Sequence, residues 1–142
     1  MSKLVKQLRR HEGVRSHVYL CPAGYETIGV GRNIAESGLG LSDDEIDYLL
    51  ENDIKRCKQE LIGLSWFIDI DPVRQDALIN LCFNLGMTRL LGFKKAMAAM
   101  AVGDYDQAAD EFLDSRWATQ VGDRAIEVTD MIRTGRYAEG YT

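Results

Sequence analysis

Long apolar runs are missing from these 142 residues. No stretch approaches the ~18 consecutive apolar residues that a membrane span needs. The opening, MSKLVKQLRRHEG, is basic but has no apolar core, so it reads as no secretory signal. The expectation is a protein held in the cytoplasm until something else lets it out. Cysteine is sparse: Cys21, Cys57 and Cys82 are widely spaced and odd in number, which fits neither a disulfide framework nor a zinc cluster. Only two histidines occur, His11 and His17, and neither has a Cys, Asp or Glu at ligand spacing, so no metal site is read. No serine sits in a nucleophile elbow. GVGRNI, at 29–34, lacks the third glycine and the βαβ setting of a dinucleotide loop, which leaves Gly29 and Gly31 as hairpin residues that permit close approach. No cofactor is implied.

What remains is the composition of an ordinary globule, 46% hydrophobic and 27% charged. A chain of this length makes one domain and buries roughly 70% of its unfolded surface. The net charge of −5 argues against general nucleic-acid binding. It is unevenly spread: residues 1–35 carry six Lys/Arg against two Asp/Glu, and residues 36–71 carry three against ten. The basic end is either a solvated face or an attractor for an anionic ligand.

Along the chain, Leu4, Val5 and Leu8 predict a short helix over 3–11 that ends near Gly13. HVYL and TIGVG, joined by the turn-forming CPAG, predict a hairpin over 14–31, with a third short strand or a loop near 33–39. Ser42-Asp-Asp-Glu45 has the form of a capping box, with the serine accepting from the third helical position and Glu45 reaching back. The apolar positions behind it predict one helix over 43–62. Asp71-Pro72 marks another start, for a buried helix that stops at Gly86. Further helices are expected over 93–102, 106–113 and 123–132. The fold class is α+β, mainly α. A small β-hairpin lobe (13–42) is expected to be joined by the long helix 43–62 to a larger helical lobe (1–12 and 63–142).

Three polar residues remain unassigned by this pattern. Glu12 lies between helix and hairpin, Cys21 in the turn, and Thr27 in the second strand. Taken singly, each has a bland reading: a solvent-facing glutamate, a half-buried turn cysteine, an ordinary strand threonine. Their spacing and flanks, LRRHEG and VYLCPAGYETIGVGR, resemble the catalytic signature of phage-type lysozymes, the endolysin muramidases. In that pattern Glu is followed after eight residues by Asp or Cys, and after five more by Thr. The resemblance extends through LSDDEIDYLLENDI, DPVRQDALINLCFNLG, GFKKAM, AADEFLDSRWATQVGDRA and IRTGRY, in family order.

The resemblance implies cleavage of the β-1,4 bond between N-acetylmuramic acid and N-acetylglucosamine in bacterial peptidoglycan. Glu12 matches the general acid, a role worth ~10²–10⁴-fold in rate. Cys21 stands where many members carry Asp, as nucleophile, base or electrostatic support. Thr27 matches the residue that orients water or the departing sugar. Arg124 matches a cleft arginine expected to pair with the acid in the free enzyme. Asn84, Arg116 and Gln120 match substrate-side positions, Asn84 and Gln120 for sugar amides and Arg116 for peptide carboxylates. Trp117, in helical register, reads better as core. Arg32, counted with the binding residues, is also expected to form a structural ion pair with Asp53. The implied partners are peptidoglycan and a separate holin-like, membrane-permeabilising protein that releases a monomeric enzyme from the host cytoplasm to the wall. Without a carboxylate at 21, a lytic transglycosylase giving 1,6-anhydro ends is a second reading, and a non-catalytic wall-binding or virion module a third.

Overall fold

The computed structural model describes residues 1–141. Among them are eight helices and one three-stranded antiparallel sheet, an α+β architecture dominated by helix. Contacts divide the chain into two units after Leu49.

In the first unit, helix α1 (Lys3–Glu12) starts where the Ser2 hydroxyl accepts from the Val5 N–H at 3.1 Å. It stops at Gly13, whose φ of +77° takes the chain out of the helix while its N–H closes on the Arg9 carbonyl. Strands β1 (Arg15–Leu20), β2 (Glu26–Gly29) and β3 (Arg32–Asn33) follow in that spatial order. The expected third strand is thus two residues long. Between β1 and β2, the Gly24 N–H donates to the Cys21 carbonyl and the Cys21 N–H to the Tyr25 carbonyl. Thr27 faces Tyr19 on one side and Asn33 on the other, so it is the centre of the sheet and only 3% exposed. The register slips between Arg15 and Tyr19, two extra residues being taken up in β1.

Helix α2 (Asp43–Ile62) has the bounds its apolar spacing predicts. Its start is half of the expected box. Glu45 does accept from the Ser42 N–H at 3.0 Å, but the serine hydroxyl donates to Asp44 and Glu45. Glu45 is also the partner of Arg32, at 2.7 Å, while the guanidinium donates to the Gly40 carbonyl as well. The expected Arg32–Asp53 pair is therefore corrected: Asp53 instead meets Arg56, one helical turn on, at 3.1 Å. The reason is local, because capping already fixes the Glu45 carboxylate, whereas Asp53 stands eight residues, about 12 Å, further along the helix axis.

The second unit holds the core. Phe67 in a short 3-10 turn (Phe67–Asp69), Leu61 and Cys57 of α2, and the inner faces of the later helices form one apolar cluster. Helix α3 (Pro72–Leu85) opens as Asp71-Pro72 predicts, with the Asp71 carboxylate accepting from the Arg74 N–H. It contributes Ala77, Leu78, Leu81, Cys82 and Leu85 to the core and ends at Gly86. Helix α4 (Met87–Gly92) and helix α7 (Arg116–Val121) are additions to the expected set. Between them run α5 (Lys94–Ala101) and α6 (Tyr105–Leu113), and α8 (Asp123–Thr134) closes the order. Helix α6 packs on α5 and α8, and α8 on α3. Arg74 ties this packing together: it donates to the carbonyls of Ile132 and Arg133, pairs with Asp71 and lies 3.8 Å from the Tyr105 ring centroid. No helix of the described residues is long and apolar enough to cross a membrane.

Candidate active site

The three residues singled out by their spacing all belong to the first unit. Glu12 is the last residue of α1, exposed, with its side chain laid against Gly31 at the β2–β3 turn. Ending the helix there is what brings the carboxyl to the sheet: Gly13 turns the chain, and β1 begins two residues later.

Cys21 and Thr27 meet across the hairpin. The thiol is half-buried and sits among the N–H groups of the Cys21–Tyr25 turn. Its pKa is held below the ordinary thiol value, chiefly by the Tyr25 N–H. Burial opposes the shift, and the Ala23 N–H, the Thr27 hydroxyl and the Gly24 N–H add to it. A thiol with this surrounding ionises more readily than a free cysteine.

Thr27 has a single hydroxyl hydrogen, and it donates to the Tyr25 carbonyl at 2.8 Å. In that orientation Oγ1 turns only lone pairs to its other neighbours, so it can accept from a thiol or a water. Stabilising a thiolate requires the hydrogen to swing from Tyr25 to the sulfur. The protonation of Cys21 and the direction of the Thr27 hydroxyl are therefore linked.

The other sequence-derived residues lie elsewhere. Arg32 is engaged by Glu45 and Gly40 in the first unit. In the second, Trp117 is 3% exposed, as the core reading expects, and its indole N–H donates to Asn84 Oδ1 at 2.6 Å. That leaves the Asn84 amide hydrogens available at the surface. Arg116 and Gln120 are exposed and lie four residues apart on one face of α7. Arg124 donates to Asn80 Oδ1 from Nε (3.1 Å) and Nη2 (2.8 Å). Both line a groove of about 420 Å³ with Leu50, Ile54, Ile79 and Phe83. Asn80 was not legible as a partner, since a lone asparagine on a buried helix carries no motif. Among the described residues, no group of three or more His, Cys, Asp or Glu is placed to hold a metal ion.

The profile of one family, Phage lysozyme, matches residues 9–139. The chain belongs to the phage lysozyme family. Similar proteins include the pre-baseplate central spike protein Gp5 of Enterobacteria phage T4, 29% identical over 93% of this chain. The chain spans 28% of that spike protein's length. The probable T4-type lysozyme 1 of Dictyostelium discoideum is 25% identical, over 95% of this chain and 96% of its own. An endolysin of Acyrthosiphon pisum secondary endosymbiont phage 1 is 29% identical, over 78% of this chain and 74% of its own. As a phage lysozyme family member, the chain carries Glu12, Cys21 and Thr27 within the matched span.

Proposed function

We propose that this phage lysozyme family chain is an endolysin-type muramidase, a glycosidase that hydrolyses the β-1,4 bond between N-acetylmuramic acid and N-acetylglucosamine in bacterial peptidoglycan. The observation that carries the reading is the family match over residues 9–139, which takes in all three signature residues. Glycosidic cleavage needs a proton for the departing oxygen and an acceptor for the attacking one. Glu12 gives its proton to the leaving O4. Cys21, as thiolate, takes a proton from the water that attacks the anomeric carbon, and Thr27 accepts from that water and orients it. Both protons then re-equilibrate with solvent. Asn84 and Gln120 donate to acetamido carbonyls, and Arg116 attracts the stem-peptide carboxylates. Arg32, held by Glu45, serves its own unit structurally. The glycan partner is peptidoglycan, and release to it depends on a separate holin-like protein.

A second reading, a component of a virus particle, is favoured by the likeness to a central spike protein. Mass spectrometry of digested peptidoglycan tests both. Hydrolysis yields reducing muramic ends, transglycosylation yields 1,6-anhydro ends, and a purely structural module yields neither. Glu12→Gln should lower turbidity clearing of wall suspensions at least a hundredfold. Undiminished clearing by that variant removes Glu12 from the mechanism.

A further inference from the structure

Gly31 has a φ of +71°, and an added Cβ there would lie 2.9 Å from Glu12 Oε2, 3.2 Å from Cδ and 3.3 Å from Cγ. Those are the last three positions of the glutamate, running alongside the one residue type with nothing to project at them. Gly29, two residues earlier, has nearly the same φ, +69°, yet a Cβ on it would meet nothing within 4 Å. Two glycines of one turn therefore share a conformational demand but differ in what lies beside them.

We infer that Gly31 is a positioning residue: its missing side chain is the seat that holds the Glu12 carboxyl where it delivers a proton. This rests on the reading of Glu12 as general acid. The atom closest to the added carbon is the free end of an exposed, flexible side chain, so a methyl at 31 does not have to break the fold. Glu12 yields instead, by swinging away. Proton transfer tolerates such a shift poorly, because a displacement on the order of 1 Å can cost ~10²-fold in rate. The steric conflict is thus mild for stability and severe for turnover.

The test compares Gly31→Ala with Gly29→Ala on soluble, uncross-linked peptidoglycan strands, with melting temperatures measured in parallel. Both substitutions place a side chain at nearly the same positive φ. The expected result is a fall in kcat of about 10–100-fold for Gly31→Ala, with KM within about threefold. Gly29→Ala should keep kcat within about threefold of wild type. Gly31→Asn adds the same Cβ with a residue that tolerates left-handed φ better, and it carries the test if the alanine variant does not fold. It should show the same kcat loss. Gly31 variants that turn over within twofold of wild type overturn the proposal, and so does an equal kcat loss in Gly29→Ala. Full activity in Glu12→Gln overturns the general-acid reading on its own, whatever the glycine variants give.

Discussion

The Cys21 sulfur faces backbone amides and a hydroxyl, whereas Cys57 and Cys82 are core residues. Burial, and then the neighbouring Cys57, push the Cys82 thiol up to about 12. Thiolates are the reactive form, so the three cysteines should separate cleanly. Iodoacetamide on the native protein at neutral pH is expected to label Cys21 first, with Cys57 and Cys82 modified only after denaturation, as read by peptide mass spectrometry. In parallel, Cys21→Asp should retain wall clearing and Cys21→Ala should lose at least tenfold. A fully active alanine variant ends the assignment of a chemical role to this sulfur. At this scale the family resemblance singled out Glu12, Cys21 and Thr27; Cys21 and Thr27 lie side by side across the hairpin, and Glu12 lies against Gly31. Arg32's partner was another matter. A capping glutamate and a helix-face aspartate look alike as letters, and only the fold says that Glu45 is the one fixed beside the strand.

Each helix boundary rests on a few hydrogen bonds whose loss can be measured. Glu45 accepts from Arg32 and from both donors of Ser42, and its carboxyl is held down to about 2 from an ordinary 4.5, mainly by the Arg32 hydrogen bond. A depressed carboxyl contributes stability that is complete above the unfolded value and disappears as pH falls through the folded one. The wild type should therefore lose melting temperature between about pH 4.5 and pH 2 more steeply than Glu45→Gln. Parallel curves for the two proteins refute this. Asp71→Ala removes the α3 cap together with the Arg74 partner and should cost about 1 kcal/mol or more in urea unfolding. Most elements were legible from caps and periodicity. Helix α4 was not, since it starts at Gly86 with no capping side chain and is six residues long. Helix α7 does carry a start signal, the Ser115 hydroxyl on the Ala118 N–H. Six residues with one buried side chain nevertheless show no periodicity to count.

For the whole molecule, apolar spacing marked α3 and later helices as buried, and the core lies there and in the last turns of α2, at Cys57 and Leu61. Phe112 is fully buried and packs 5.3 Å, centroid to centroid, from Phe93, so Phe112→Ala should cost roughly 3–5 kcal/mol. The measurement has a built-in reporter. Both tryptophans, Trp66 and Trp117, lie beyond Leu49, Trp117 sealed in the core with its indole bonded to Asn84 and Trp66 packed at the core's edge. Ultraviolet emission from the native chain is expected to be blue, and it should shift red as the helical unit opens. The sheet and its candidate catalytic groups contain no indole. A fluorescence melt excited in the indole band thus follows the helical unit in isolation.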